Sequence, residues 1–239
     1  MFYFIFPAFL TYNFILIAAA VIPAVFLMLK ANRSDRLERE SPRLLWNLVV
    51  AGVLSSLIAL LSERILSALL NLISDKGSTA YNVLLYFGVV AFSEEGAKYF
   101  MLKRRTWKSP EFNCLYDGIV YALFVSLGFA LWENISYVMT YGFSTALVRA
   151  VTAIPGHACF GVFMGFFYGI ARAFENAGKL KEAKLSRVLT VLVPALLHGA
   201  YDYIASSDGN TWFFVAFIAV LFIISYRVVG KAAKADRFI

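Results

Sequence analysis

Hydrophobic residues in this chain are gathered into seven long runs, separated by short polar stretches. Crossing the roughly 30 Å hydrocarbon layer of a membrane as a helix takes about 20 apolar residues, so each run is long enough to span it. The runs lie approximately at Phe4–Leu29, Leu44–Ile73, Tyr81–Leu102, Leu115–Val138, Ala146–Ala171, Leu185–Ile204 and Trp212–Val229. The pattern predicts an all-α, polytopic transmembrane bundle of about seven spans, in one integral membrane domain over residues 1–239.

Basic residues alternate between the loops of this bundle, which supports the number of helices independently. Cytoplasmic loops of membrane proteins collect Lys and Arg, so we expect the N-terminus outside and the C-terminus in the cytoplasm. The first 29 residues carry their positive charge after the apolar run, so we expect them to remain as the first helix rather than act as a signal peptide. Most of the 22 basic residues lie in the first, third and fifth loops and the tail: Lys30, Arg33, Arg36, Arg39 and Arg43; Lys103, Arg104, Arg105 and Lys108; Arg172, Lys179, Lys181, Lys184 and Arg187; Arg227, Lys231, Lys234 and Arg237.

The composition of the chain agrees with a membrane protein. Of its 239 residues, 61% are hydrophobic and only 15% are charged, and the mean hydropathy is +0.72. The net charge of +7 lies in loops, where it acts as a topology signal, so we expect no nucleic-acid partner. Cys114 and Cys159 fall in or beside different helices, so neither a disulfide framework nor a zinc-ligand pair is indicated.

Ionisable side chains inside the apolar runs are the most informative residues. Each costs about 2.5 to 3.5 kcal/mol at the centre of a membrane helix, so each is a hypothesis about function. Four runs carry such groups or polar neighbours of them: Glu94, Glu95 and Lys98 in the third; Glu133 and Asn134 in the fourth; His157 in the fifth; His198 and Asp202 in the sixth.

Spacing along the helices predicts which of these groups meet, since residues three or four apart share a helix face. Lys98 can therefore neutralise Glu94 or Glu95. Two adjacent buried glutamates cannot both ionise cheaply, so one is expected to be poised as a base. His198 and Asp202 are also four apart, a spacing that lets the carboxylate orient the imidazole or stabilise its cation.

Small residues on two helices indicate which way the polar groups point. His157 begins a stripe of glycines at four-residue intervals, and the fourth run has a similar ladder that ends beside Glu133. Such stripes allow close helix packing, so both groups should face the interior of the bundle. The two stripes comprise Gly161, Gly165 and Gly169, and Gly118, Ala122, Ser126, Ala130 and Asn134.

Simpler explanations exist for each polar residue taken alone. A single intramembrane histidine is often only an interhelical hydrogen-bonding group, and a series of acids and bases can be an internal ion-pair ladder. Glu63, Arg64, Lys76 and Arg149 are expected to be interfacial charges. Helix packing has no use for two adjacent buried acids, however, so Glu94 and Glu95 favour a functional site.

Four short motifs in order resemble the PrsW family of bacterial intramembrane proteases, a relative of the CAAX prenyl endopeptidases. They are EExxK from Glu94, GFAxxEN from Gly128, PGHA from Pro155 and HxxYD from His198. The resemblance covers about residues 82–205, which we take as the protease core. Four polar motifs in order on four helices form a far more specific signal than EExxK alone.

The resemblance implies an intramembrane endopeptidase in the bacterial plasma membrane that makes the site-1 cut in a single-span membrane protein, such as an anti-sigma factor. It implies that Glu94 is the general base, with Glu95 as the partner of Lys98. His157 and His198 then handle the oxyanion and the leaving-group proton, with Asn134 and Asp202 in support. Wider relatives of the family have His at the position of Glu133, which leaves Glu133 as a second acid or a metal ligand.

Peptide hydrolysis needs an activated water, an oxyanion donor and a proton for the departing amine, and carboxylates with imidazoles supply all three. We favour a site without a cofactor, because HExxH is absent and the histidines lie on different helices. A zinc site is the competing interpretation, with the ion held by His157, His198 and either Glu94 or Glu133.

The same buried charges would also suit an ion-coupled transporter, a scaffold that binds without cutting, or a CAAX-type peptidase with another substrate.

Overall fold

The computed structural model describes residues 2–35, 37–207, 209 and 211–239, with side chains from Phe14 onward. Arg36, one of the basic residues of the first loop, therefore lies outside the described residues. The described chain is helical apart from turns and one isolated bridge between Cys114 and Phe238. Its elements are α1 (Phe2–Ser34), α2 (Pro42–Ile73), α3 (Thr79–Val83), a π-helical stretch (Leu84–Ala91), α4 (Phe92–Thr106), α5 (Asp117–Tyr141), α6 (Phe143–Val151), α7 (Ala153–Asn176), α8 (Leu180–Ala205) and α9 (Thr211–Lys234).

The all-α, polytopic bundle is confirmed. Six helical segments of the described chain are long and apolar enough to cross a membrane, and α6 and α7 together make one of them. The remaining predicted span is the run formed by α3, the π-helical stretch and α4. This run carries the Glu94, Glu95 and Lys98 charges, and they reduce its hydropathy.

Helix α5 lies at the centre of the bundle. Every residue from 117 to 130 is buried, as expected for a helix that is apolar on all sides. Helices α1, α2 and α7 pack most extensively around it, and α4 and α6 also contact it. Because α5 contacts both α4 and α7, it helps to set the positions of the polar groups that those helices carry.

Glycines bring α5 and α7 into close contact, as the two small-residue stripes predicted. A Cβ on Gly165 would overlap the main chain of Gly118, and a Cβ on Gly118 would lie 2.7 Å from the Gly165 carbonyl oxygen. Gly161 faces Ser126 in the same way. The close approach lets the Ser126 hydroxyl donate to the His157 carbonyl oxygen at 2.6 Å.

The fifth predicted helix is divided in two, which the hydrophobic pattern did not indicate. Thr152, with φ −119° and ψ −69°, separates α6 from α7. Pro155 lies in the first turn of α7, where its missing N–H would have no partner within the helix. The predicted span over Ala146–Ala171 therefore lies within one candidate membrane span, Phe143–Asn176, but it is broken at Thr152, and His157 lies close to the start of α7.

Candidate active site

The two adjacent glutamates are placed by a change of helix type. The π-helical stretch ends at Ala91, and Glu94 and Glu95 lie in the first turn of α4. Phe87 of this stretch packs against Gly199, next to His198, where any Cβ would collide with the ring. Short π-helical segments are frequent at functional sites, and this one delivers both acids to the interior, with Glu94 7% and Glu95 0% exposed.

Lys98 lies at the middle of the buried groups. Its ammonium donates hydrogen bonds to Glu95 at 2.7 Å and to Glu94 at 3.3 Å, and lies 3.2 Å from Nδ1 of His157. It also lies 4.0 Å from the centre of the Phe129 ring. Because an ammonium can only donate, Nδ1 of His157 must accept and carries no proton.

Glu133 holds the other nitrogen of His157. Its carboxylate lies 2.8 Å from Nε2 of His157 and 3.0 Å from the Arg149 guanidinium. With Nδ1 as acceptor, Nε2 carries the proton and donates to Glu133, which assigns the neutral Nε2–H tautomer. Both nitrogens of His157 are therefore engaged.

His198 lies among three carboxylates. Its Nδ1 is 2.9 Å from Glu95, and its Nε2 is 3.4 Å from Asp202 and 3.8 Å from Glu94. The ring stacks on Phe160, with centroids 4.7 Å apart and planes at 19°. Unlike both nitrogens of His157, Nε2 of His198 has no hydrogen bond of normal length to any described residue, and it faces Asp202 and Glu94.

The structure brings together most of the predicted site residues from four helices. The rings of His157 and His198 lie 5.3 Å apart, and Glu94, Glu95, Lys98, Glu133 and Asp202 contact one or both rings directly or through Lys98. Asn134 is different, because its side chain donates to the carbonyl oxygen of Ala20 at 3.2 Å and accepts from Arg149 at 2.8 Å. It touches neither imidazole and supports the site only through Arg149.

Arg149 is the site residue that sequence reasoning missed. We expected an interfacial charge, but its guanidinium bridges Glu133 and Asn134 and lies over the Tyr137 ring at 4.1 Å. The sequence did contain a signal, because Arg149 is a single charge inside an apolar run, and such charges suggest a functional role. Arg149 lies near the start of its run, however, so an interfacial position was enough to explain its charge.

Four of the site residues can in principle hold a metal ion. One ligand atom from each of Glu94, Glu95, His157 and His198 lies within 4.8 Å of the others, whereas Glu133 is not in this group. Two imidazoles and a carboxylate suit zinc. Lys98 already gives positive charge to three of these four residues, so a metal ion and this ammonium would compete for the same donors.

The fold and the site define a class of protein. It is a multi-pass membrane protein with an internal polar site of carboxylates, imidazoles and one lysine. Comparison with known proteins shows which family of membrane proteins it belongs to. Residues 40–229 match the family described as PrsW family intramembrane metalloprotease. The chain belongs to the PrsW family and is an intramembrane protease.

Individual relatives agree with the family match. The chain is 32% identical to Protease PrsW of Bacillus subtilis (strain 168) over 224 residues, which are 93% of this chain and 98% of the relative. It is 38% identical over 164 residues to Protease PrsW of Halalkalibacterium halodurans, covering 68% and 74%. Protease PrsW of Clostridioides difficile (strain 630) is 31% identical over 224 residues, covering 91% and 87%. No solved structure matches the chain.

Proposed function

We propose that this protease hydrolyses a peptide bond in a single-span membrane protein, of the anti-sigma factor type, with Glu94 as the general base. The observation that carries the proposal is the difference between the two adjacent acids. Each acid has one oxygen without a hydrogen-bond partner among the described residues, Oε1 of Glu94 and Oε2 of Glu95, but Glu95 is 0% exposed and its free oxygen is buried. Glu94 is 7% exposed and its Oε1 is not among the buried unpaired atoms, so Glu94 is the acid whose free oxygen a water molecule can reach.

In the proposed reaction, Glu94 takes a proton from water and the resulting hydroxide attacks the carbonyl carbon of the peptide. A tetrahedral oxyanion forms, and Nε2 of His198, 3.8 Å from Glu94, is placed to protonate the departing amine as the C–N bond breaks. Lys98 supplies the buried positive charge that stabilises the oxyanion. No covalent enzyme intermediate is required.

The structure supports a direct role in the proposed reaction more strongly for His198 than for His157. The ring of His198 presents Nε2 towards Glu94, but both nitrogens of His157 are already bound, to Lys98 and Glu133. We therefore assign His157 mainly to positioning, since it holds Lys98 and Glu133 in place. A direct role for His157 with the oxyanion requires substrate to replace one of these partners.

A zinc-dependent form of the same hydrolase is the second candidate. It is favoured by the four donors within 4.8 Å and by the family description, which includes the word metalloprotease. His157, His198 and Glu94 would hold the ion, which would lower the pKa of a bound water. We favour the form without metal because Lys98 contacts three of the four donor residues.

The membrane setting of the proposal follows the alternation of basic loops, which favours an outside N-terminus and a cytoplasmic C-terminus. The substrate is then a transmembrane protein that reaches the site through the surrounding lipid. Family membership argues against the ion-coupled transporter, which rested on the same buried charges.

The test compares fragments of membrane proteins in bacteria that carry the wild-type chain or Glu94→Gln. We expect at least one single-span protein to be cut only with wild type, and its cleavage by the purified protein to fall about 100-fold or more in Glu94→Gln. Glu182→Gln, at an exposed position, is the matched control and should cut normally. Full activity of Glu94→Gln would overturn the assigned base.

The same preparation decides between the two forms of the site. Elemental analysis and chelator titration should show activity independent of bound metal. Stoichiometric zinc whose removal abolishes cleavage would replace our proposal with the zinc form.

A further inference from the structure

A second group of buried acids lies away from the candidate active site, at the end of the bundle where the basic loops lie. It is at the opposite end of α5 from Glu133. We call it the acidic cluster; it consists of Asp35, Glu40 and Asp117. Asp35 follows α1, Glu40 precedes α2 and Asp117 begins α5. One carboxylate oxygen from each lies within 4.8 Å of the others, and the three residues are only 6%, 8% and 1% exposed.

The charge of Asp35 is poorly stabilised by the described residues. Both of its carboxylate oxygens are buried, and neither has a hydrogen-bond partner among the described residues. Burial and the nearby Asp236 carboxylate raise the pKa of Asp35, and the Leu37 and Glu38 backbones offset only part of this. Oδ2 of Asp236 is also buried without a partner. Leaving such oxygens unmatched is costly, so their arrangement points to a missing positive group.

The protein itself does not supply that group from the residues described. The first basic loop and the tail surround the acidic cluster, yet among described side chains no Lys or Arg forms an ion pair with Asp35, Glu40, Asp117 or Asp236. Burial and the adjacent Asp117 carboxylate raise the pKa of Glu40 to about 8. Among the described side chains, three close carboxylates therefore repel one another without a counter-charge.

Asp117 is fixed in place by backbone contacts. Its Oδ2 accepts hydrogen bonds from the N–H groups of Asn113, at 3.0 Å, and Cys114, at 2.6 Å. These bonds hold the carboxylate against the loop before α5, instead of leaving it free to turn towards solvent. The cluster thus has one rigid oxygen donor, with Asp35 and Glu40 opposite it.

We propose that the acidic cluster binds a hard divalent cation, Ca²⁺ or Mg²⁺. These ions prefer carboxylate oxygens, and oxygens that share one ion at about 2.0 to 2.6 Å lie within about 5 Å of each other, as these do. The site contains no imidazole or thiol ligand, in contrast to the protease centre. The main rival is a proton shared between Glu40 and Asp117, which would need no ion.

A cation at this position would join two distant parts of the chain, the α1–α2 loop and the start of α5. The C-terminal tail already pairs with the loop before α5, through Leu115 N–H to the Arg237 carbonyl at 3.0 Å and Ile239 N–H to the Asn113 carbonyl at 2.7 Å. Asp236 in this tail accepts from the Tyr116 N–H at 2.8 Å. The ion would fix the α1–α2 loop to the start of α5, next to which these hydrogen bonds already hold the tail.

The experiment titrates CaCl2 and, separately, MgCl2 into the purified, chelator-treated full chain in detergent, with calorimetry and thermal unfolding as readouts. We expect about one equivalent of one or both ions to bind, and the unfolding temperature to rise by about 5 °C or more at 100 times the Kd. The two arms distinguish which cation the site prefers. Glu94→Gln should bind equally well, which separates this site from the protease centre.

Asp35→Asn is the decisive variant, because it keeps the shape and has no hydrogen bond among described residues to lose. It should bind at least 10-fold more weakly while remaining as stable as wild type without the ion. Asp75→Asn, at an exposed position, is the control and should behave like wild type. If Asp35→Asn fails to fold, Glu40→Gln takes its place. No saturable binding of either ion at 10 mM, or unchanged binding by the variant, would overturn the proposal in favour of the shared proton.

Discussion

Lys98 is the residue on which the candidate active site depends most, since one buried ammonium contacts Glu94, Glu95 and His157. Its removal leaves two carboxylates and an imidazole without their common partner. Breaking a buried ion pair from one side costs about 3 to 5 kcal/mol, whereas an exposed pair contributes little. At this scale the charge of Lys98 matters both for stability and for chemistry.

We predict that Lys98→Met lowers the unfolding temperature markedly and abolishes cleavage, while Lys181→Met, at an exposed position, changes neither. Differential scanning fluorimetry and a cleavage assay check this. The variant also probes the zinc form. If Lys98 competes with a metal, its loss should raise zinc affinity; a fall in zinc affinity would contradict the competition.

Arg149 is a positioning residue that acts indirectly, because it holds Glu133, which in turn holds His157. We predict that Arg149→Gln lowers kcat by about 10-fold or more with little change in KM, as for other groups that orient a site residue. Arg149→Lys should restore part of the activity. A cycle with Glu133→Gln should be strongly non-additive. Equal and additive losses would mean that Arg149 acts separately from Glu133.

The sequence predicted those features of the helices that depend on a pattern within one helix, and it did not predict those that depend on contacts between helices. Hydrophobic runs located the spans, and the glycines at intervals of four located the α5–α7 contact. A hydropathy pattern averages over about 19 residues, so it could not detect the break at Thr152. The π-helical stretch depends on Phe87 packing against Gly199, a contact more than a hundred residues apart in sequence.

Most residues of the candidate site, though not Arg149, could be selected from the sequence, because buried charges are rare in a membrane helix. Their partners were less predictable. Spacing within a helix indicated the Lys98 and Asp202 pairings, and the contact of Glu133 with His157 depends on how α5 and α7 pack. The acidic cluster could not be predicted from the sequence, because acids near a membrane surface are common. Asp35 is unusual in being buried, and the sequence does not show its burial.

The α5–α7 glycine contact gives a prediction at the scale of helices. Gly165→Ala places a Cβ into the main chain of Gly118, so α7 must move away and His157 with it. We predict a loss of about 1 to 3 kcal/mol in stability and a larger relative loss of cleavage. Gly230→Ala in α9 has open space around its Cβ and is the control. Normal activity of Gly165→Ala would show that the site tolerates a shift of α7.

For the molecule as a whole, the two polar centres have different tasks. The candidate active site lies inside the bundle, where α4, α5, α7 and α8 converge. The acidic cluster lies at the end of the bundle, where its residues come from the first loop and the start of α5, beside the C-terminal tail. A cation bound there would stabilise the bundle as a unit without touching the groups that react.

The pH dependence of stability tests this coupling. In the unfolded chain Glu40 loses its proton near its ordinary pKa of 4.5, but in the folded chain burial and Asp117 raise that pKa to about 8. The folded state therefore holds more protons between these values, and stability falls as pH rises through this window. Cys114 and Tyr116 have pKa values raised by burial to about 12, so they do not titrate there.

We predict that the unfolding temperature without divalent ions falls between pH 6 and pH 8, and falls less in Glu40→Gln. A cation must displace the retained proton, so its affinity should increase over the same interval. Saturating CaCl2 or MgCl2 should then remove most of the pH-dependent loss in wild type. An equal rise in unfolding temperature at both pH values would place the bound ion elsewhere, because only a site that includes Glu40 links cation binding to this proton.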